Sequence, residues 1–164
     1  MTAAAVRLLS RVWHRLAGRY QWRLLWLTQA KFMVGVAGVI FDESGRVLLL
    51  RHRFWPEGSW GLPGGYAHRR EVPSDALARE LREETGYRID EVKVLEVVSG
   101  YRMRMEVVFT ARLAGGRFER DEREVLEARF FDPDALPEGL LVSHRALIRQ
   151  ACAGRGAGGG ASPS

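Results

Sequence analysis

The sequence has few of the features that mark secreted or membrane-spanning proteins. Its 164 residues include a single cysteine, Cys152, which excludes an internal disulfide and a cysteine-based zinc cluster. The longest apolar run without a charged residue, 32–41, has ten residues, whereas a membrane-spanning helix needs about 20. Arginines interrupt every apolar stretch near the N-terminus, which does not fit a secretory signal. We therefore expect a cytoplasmic protein without a membrane span.

Acidic residues are missing from the first 31 residues. That segment carries a formal charge of +6, from Lys31 and from arginines at every fourth position, Arg7, Arg11, Arg15, Arg19 and Arg23. Because the whole chain carries +5, the rest of the chain sums to about −1. The high isoelectric point therefore reflects a basic extension and says little about the ligand of the remaining residues.

Composition divides the chain into three parts. Residues 1–31 form the basic extension, and residues 32–152 have the mixed apolar and charged composition of one globular domain. Residues 153–164 are rich in glycine and have too little apolar surface to bury, so we expect them to be disordered.

Periodicity and turn residues predict alternating helices and strands. Apolar residues recur at spacings of three and four in 3–30, which indicates one helix, or two helices with a break near Gly18. Pro73 and Gly86 bracket another helix, because proline favours the first helical turn and glycine the position after the last. The other predicted elements are strands at 32–41 and 46–51 forming a hairpin, a loop at 54–71, strands at 91–99, 101–113 and 127–131, a turn at 114–116 and a helix at 143–152.

The predicted helix that begins at Pro73 carries three glutamates in close succession, Glu80, Glu83 and Glu84. At about 100° per residue, Glu80 and Glu84 lie on one face beside the apolar stripe, where shielding from water strengthens their repulsion. A solvated face with an Arg79–Glu83 ion pair is the simpler explanation, but it leaves the Glu80–Glu84 pair uncompensated. A hard divalent cation such as Mg²⁺ or Mn²⁺ would resolve that conflict.

The residues before this helix favour the cation. Gly65 is followed after five residues by Glu71, and after seven more by the segment 79–87, which reads RELREETGY. This arrangement resembles the Nudix box, G-x5-E-x7-R-E-U-x-E-E-x-G-U, in which U is a bulky apolar residue. Every defining position matches, with Tyr87 at the last one in place of the commoner aliphatic residue. Residues 59–65 and 124–137 are also similar to the family, so the resemblance covers residues 32–150.

The resemblance implies a fold and an activity. The fold is an α/β/α sandwich around a mixed sheet, here with an added N-terminal helical extension. The activity is hydrolysis of a nucleoside diphosphate linked to another moiety X, with Mg²⁺ or Mn²⁺ as cofactor. The chemistry agrees, because cleaving a polyanionic pyrophosphate requires neutralisation of charge and a positioned water.

The resemblance also implies roles for single residues. Glu80 and Glu84 would bind the metal directly, and Glu83 would bind a second ion or act through a water. A backbone carbonyl of Gly64 or Gly65 would complete the site. The residues that would hold these ligands in place are Glu71 and Arg79.

The general base is left open by the resemblance, because family members draw it from the box or from a later loop. The box offers Glu80 or Glu83, and the later segment offers Glu122 or Glu124. A charged hairpin surface is the simpler explanation for Glu122.

Substrate choice lies outside the box, and the sequence indicates it only weakly. Aromatic side chains before the box would stack on a nucleobase or merely pack in their loop, and nearby arginines would meet phosphates. Residues 99–105, downstream of the box, lack the proline that ADP-ribose hydrolases carry there. They contain a tyrosine, Tyr101, and in this respect the chain is similar to dinucleoside polyphosphate hydrolases. The candidates for substrate contact are Arg51, Arg53, Phe54, Trp55, Arg69 and Tyr101.

The basic extension allows three interpretations. It is a helix that packs on the domain or on a second subunit of a homodimer, a helix that lies on an anionic membrane surface through residues 1–30, or a targeting peptide or nucleic-acid contact. We expect no specific recognition of nucleic acid.

Two rivals to the general hydrolase remain. One is a module that senses a nucleotide without cleaving it, although such proteins usually lose box glutamates that this chain keeps. The other is a pyrophosphohydrolase that removes RNA caps, which the basic extension supports weakly.

Overall fold

The computed structural model describes residues 3–15, 18–99, 103–118 and 124–158, which fall into two compact units, Met1–Phe32 and Met33–Ser164. The first unit contains helices α1 (Ala3–Arg15) and α2 (Gly18–Thr28), so the prediction of helical structure in 3–30 is confirmed, while residues 16 and 17 lie outside the described residues. No helix among the described residues is both long enough and apolar enough to cross a bilayer.

The second unit is built on a mixed sheet of six strands within the described ranges. The main path runs β4-β5-β1-β2-β6, and β3 pairs with β1 as well. The β1–β5 pair is parallel, whereas the other pairs are antiparallel. The strands are β1 (Met33–Phe41), β2 (Val47–His52), β3 (Gly64–Tyr66), β4 (Tyr87–Ser99), β5 (Arg104–Gly116) and β6 (Val125–Phe131).

Two helices cover the two faces of this sheet, α3 (Pro73–Thr85) and α4 (Val142–Gly158). Successive residues of a strand point to opposite faces, and the apolar run of β1 supplies both cores. Val36 packs with Leu77 of α3, while Val39 packs with Ile148 of α4. The α/β/α sandwich implied by the sequence is therefore confirmed.

Helix α3 has the predicted bounds. Pro73 occupies its first turn, and Gly86 ends it with a positive φ of 73° and donates its N–H to the carbonyl of Arg82 at 2.9 Å. Leu77 and Leu81 are 0% and 1% exposed, so the apolar stripe fixes which side of the helix faces the sheet. The positions of the α3 glutamates beside the sheet follow from that orientation.

Some predicted bounds are wrong at the strands. β4 begins at Tyr87 rather than at residue 91, and β5 continues through the predicted turn at 114–116. Tyr87 pairs with Gly116, so pairing between long strands overrides the local preference of glycine for a turn. The loop predicted at 54–71 contains the short strand β3. Two of its three residues are glycines, which are uncommon in strands, so the sequence does not indicate a strand there.

The predicted start of a disordered tail at residue 153 is also wrong, because α4 continues to Gly158. Ala151 is 2% exposed, and the Arg155 guanidinium lies 4.2 Å from the centre of the Phe41 ring. These contacts extend the helix into the glycine-rich segment. Residues 159–164 lie outside the described ranges.

Candidate active site

Strand β3 brings a glycine pair against the carboxylates of α3. Gly65 pairs with Val36 of β1, and a Cβ on Gly65 would overlap the Glu80 carboxylate. The N–H of Tyr66 points at Glu80 Oε1 at 3.4 Å. The Glu80 side chain thus occupies the space that a Cβ at position 65 would fill.

Arg79 binds the loop before α3 to the helix itself. Its guanidinium donates two hydrogen bonds to the Glu71 carboxylate, at 2.8 and 3.0 Å, and one to the Tyr66 carbonyl at 3.1 Å. The paired, planar geometry is the strong form of an arginine–carboxylate contact. The His68 N–H adds a further hydrogen bond to Glu71 at 2.7 Å. The loop is therefore held in one conformation beside the glutamates.

These contacts shift the pKa values of both partners. The Arg79 hydrogen bonds, followed by the His68 N–H, lower the pKa of Glu71 from 4.5 to about 2. The hydrogen bond to Glu71 in turn raises the pKa of Arg79 further above its ordinary range. Glu71 is thus ionised throughout the physiological pH range.

Arg79 also faces two of the three glutamates of interest. Its Nη1 lies 3.0 Å from Glu80 Oε1 and 3.3 Å from Glu83 Oε2. The Arg79–Glu83 ion pair considered from the sequence is therefore present, and Arg79 reaches Glu80 as well. Glu83 is the more exposed of the two, at 56%.

Glu84 belongs to a second group of donors. It is 9% exposed, and its carboxylate lies with donor atoms of His52 and Glu124 in a set that spans no more than 4.8 Å. His52 ends β2 and pairs with Val125 at the start of β6, which places Glu124 beside it. Within the described ranges this set contains neither Glu80 nor Glu83.

Both groups suit a hard divalent cation. The available donors are carboxylate oxygens, which Mg²⁺ and Mn²⁺ prefer. The Glu80 carboxylate lies directly against Gly65, in space that the side chain of any other residue at position 65 would fill. His52 adds a nitrogen to the second group, but its Nδ1 accepts the Phe54 N–H at 3.4 Å. Its Nε2 lies 3.6 Å from Glu124 Oε2.

Comparison with known proteins identifies this arrangement. The sequence profile of the NUDIX domain matches residues 31–151. The chain belongs to the Nudix hydrolase family. It is accordingly an enzyme, a Nudix-type pyrophosphohydrolase acting on phosphoanhydride bonds.

Individual relatives agree with this placement. A MutT-like protein of Streptomyces ambofaciens is 33% identical over 124 residues, covering 75% of this chain and 79% of that protein. An ADP-ribose pyrophosphatase of Methanocaldococcus jannaschii is 32% identical over 123 residues, covering 71% and 70%. The crystal structure of a MutT Nudix hydrolase from Burkholderia pseudomallei superposes with a TM-score of 0.64 at 28% identity, covering 73% of this chain and 98% of that one.

The loop before the Nudix box brings several of the predicted substrate residues together. Arg51, Arg53 and Trp55 line one pocket of about 160 Å³, together with His52. Arg51 Nη1 contacts Glu127 Oε2 at 3.3 Å, and the ring of Trp55 lies 5.4 Å from that of His52. His52 therefore belongs both to the lining of this pocket and to the Glu84 donor group.

The other predicted substrate residues are more scattered. Phe54 is 75% exposed, and its ring centre lies 5.6 Å from that of His52. Arg69 is exposed on the loop that precedes α3. Tyr101 lies outside the described residues.

A polar cluster at the start of β5 was not predicted from the sequence. Arg104 Nη2 contacts Glu106 Oε1 at 2.9 Å, and Nη1 donates to the Tyr66 hydroxyl at 3.3 Å. The Arg104 Nε is buried without a hydrogen-bond partner among the described residues. Pairing of β5 and β3 with the same end of β1 assembles this cluster, and no local pattern in the sequence indicates it.

Proposed function

We propose that this Nudix enzyme hydrolyses a nucleoside diphosphate linked to another moiety X, releasing a nucleoside monophosphate and phospho-X. The observation that carries the proposal is the pair of donor groups on one side of α3. Glu80 is seated against the glycine strand, and Glu84 is clustered with His52 and Glu124. Carboxylate oxygens are the donors that Mg²⁺ and Mn²⁺ prefer.

The box residues would hold the metal as the family resemblance implies. Glu80, Glu84 and a carbonyl of Gly65 are the direct ligands, and Glu83 binds a second ion or acts through a water. Mg²⁺ or Mn²⁺, when bound, neutralises phosphate charge and acidifies a coordinated water. Arg79 holds the Glu80 and Glu83 side chains, and Glu71 holds Arg79.

Glu124 is the general base that the geometry favours. Its side chain is 52% exposed, so water reaches it, and His52 faces its carboxylate at 3.6 Å. It takes one proton from the attacking water, whose oxygen bonds to phosphorus while the bridging P–O bond breaks. Glu80 and Glu83 instead contact the Arg79 guanidinium.

The pocket beside His52 would receive the substrate. The Arg51 and Arg53 guanidinium groups are suited to phosphate, and Trp55 offers a ring face to a base or to an apolar part of X. Arg69 and Phe54 lie on exposed loops, where each would contact the substrate once it is bound. The residues of the site therefore support a compact phosphate-rich substrate.

A panel of substrates tests the proposal. ADP-ribose, UDP-sugars, a dinucleoside polyphosphate, 8-oxo-dGTP and a 5′-capped RNA are incubated with Mg²⁺ or Mn²⁺, and products are separated by chromatography. We expect a nucleoside monophosphate from at least one diphosphate derivative. Hydrolysis in H₂¹⁸O identifies the phosphorus attacked, because the label enters the product formed there.

The matched variants are Glu84→Gln and Glu124→Gln, both nearly isosteric. We expect Glu84→Gln to abolish metal-dependent turnover, and Glu124→Gln to lower kcat by about 10²–10⁴-fold with unchanged folding. Full activity in Glu84→Gln would contradict the metal assignment. Binding of every substrate without turnover by the unmodified protein would instead indicate a sensing module.

A further inference from the structure

The unit Met1–Phe32 carries an unusually exposed apolar surface. Neither α1 nor α2 contains a buried residue. Leu9 is 61% exposed, and Trp22 and Leu27 are 68% and 69% exposed. Scattered apolar side chains are normal on a protein surface, but a continuous series along two helices marks a surface that binds something.

Most apolar residues of helix α1 lie opposite its arginines, and Leu8 lies beside them. At about 100° per residue, the apolar set centres about 160° away from the arginines. On the apolar side, Val6, Leu9 and Val12 are 49%, 61% and 53% exposed. The basic side consists of Arg7, Arg11 and Arg15.

The charge of this unit selects the partner. Residues 1–31 contain six basic residues and no acidic one, so no internal ion pair neutralises them. A second copy of the unit would double that charge at a shared interface, which opposes self-association through these helices. An RNA would neutralise the arginines but would leave the apolar side of α1 in water. A surface that offers both anionic groups and an apolar layer can bind the basic side and the apolar side of α1 at the same time.

Three of the chain's tryptophans lie in this unit, Trp13, Trp22 and Trp26. Tryptophan favours the boundary between lipid head groups and acyl chains. With 13 residues, α1 extends about 20 Å and is too short to cross a bilayer, so it would lie in the plane of the surface. We propose that α1 and α2 bind the surface of an anionic lipid bilayer and thereby place the Nudix domain next to it.

Vesicle flotation of the full-length protein tests this proposal, which holds whether or not the assigned hydrolysis is correct. Vesicles of phosphatidylcholine alone are compared with vesicles containing about 30% phosphatidylglycerol at 0.1 M salt. We expect flotation only with the anionic vesicles, and release at 0.5 M salt. Tryptophan fluorescence should shift to shorter wavelength on binding, because the rings enter a less polar layer.

Two matched variants separate the surface from net charge. The α1 variant carries Arg7→Gln, Arg11→Gln and Arg15→Gln, while the control carries Arg88→Gln, Arg117→Gln and Arg149→Gln on exposed sites of the domain. Each basic residue near an anionic surface contributes about fivefold in partition coefficient, so the α1 variant should bind about 100-fold more weakly. The control should bind nearly as well as the unmodified protein.

Several results would overturn the proposal. These are no flotation of the unmodified protein, equal loss of binding in both variants, or equal binding to zwitterionic vesicles. A dimer in light scattering that the α1 variant dissociates would assign the helices to self-association. Tighter binding to a single-stranded RNA than to anionic vesicles at the same salt would assign them to nucleic acid. Circular dichroism confirms that both variants keep their helices, since glutamine supports a helix nearly as well as arginine.

Discussion

Adding one methyl group at Gly65 should separate catalysis from folding. In Gly65→Ala the new Cβ would lie 2.5 Å from Glu80 Oε1 and 2.6 Å from Glu80 Cγ. Ordinary contact begins near 3.4 Å, so the carboxylate must move by about 1 Å. The displaced group is the end of a flexible side chain, and the backbone at position 65 needs no positive φ.

The expected magnitudes follow from that displacement. Misplacing a catalytic group by about 1 Å lowers the rate by roughly 100-fold, so kcat of Gly65→Ala should fall by about that factor. Stability should change by less than about 1 kcal/mol, because a compatible glycine-to-alanine change also restricts the unfolded chain. Steady-state kinetics and urea unfolding measure the two quantities.

The adjacent glycine supplies the control. A Cβ on Gly64 would overlap the backbone carbonyl of Val36 and lie 3.0 Å from the Ala37 Cα. A backbone clash cannot be relieved by a side-chain rotation, so Gly64→Ala should lose about 1–3 kcal/mol of stability. If Gly65→Ala instead retains full kcat, the Glu80 carboxylate does not act from the position described here, and the reasoning is refuted.

Three further predictions concern the surroundings of the site. Because the pKa of Glu71 falls from 4.5 to about 2 on folding, its contribution to stability is complete above pH 4.5 and is lost as pH falls toward 2. The stability difference between the unmodified protein and Glu71→Gln should shrink over that window in urea titrations, and a constant difference would contradict it. Leu81 is 1% exposed and packs against the sheet, so Leu81→Ala should lower the free energy of unfolding by about 2–5 kcal/mol in the same assay. A smaller loss would mean that the surrounding core closes around the cavity left by the leucine. His52→Asn should lower kcat by roughly 10–100-fold through loss of the contact with Glu124, while unchanged kcat would remove His52 from the site.

The sequence predicted the local parts of this molecule well. Pro73 and Gly86 mark the ends of α3 because backbone restrictions act within one turn of the chain. The fixed spacing of the Nudix box identified Gly65 and Glu80 before their contact was known. Such features depend on residues close together in sequence, so a pattern records them directly.

Contacts that depend on the pairing of strands distant in sequence could not be predicted from such local patterns. His52 and Glu124, which are 72 positions apart in the sequence, meet because β2 pairs with β6, and no spacing rule covers that separation. Arg79 reaches Glu80 only through a side-chain rotamer that helical geometry leaves undetermined. The cluster of Arg104 with Tyr66 likewise depends on the order of strands around β1.

We infer that the glutamates of α3 hold a divalent cation. Titration of Mn²⁺ into the purified full-length protein, followed by electron paramagnetic resonance of the free ion, tests it most directly. We expect uptake of at least one Mn²⁺ by the unmodified protein and a much weaker uptake by Glu80→Gln and Glu84→Gln. A titration in which all added Mn²⁺ stays free, or in which the two variants bind as well as the unmodified protein, would contradict the claim.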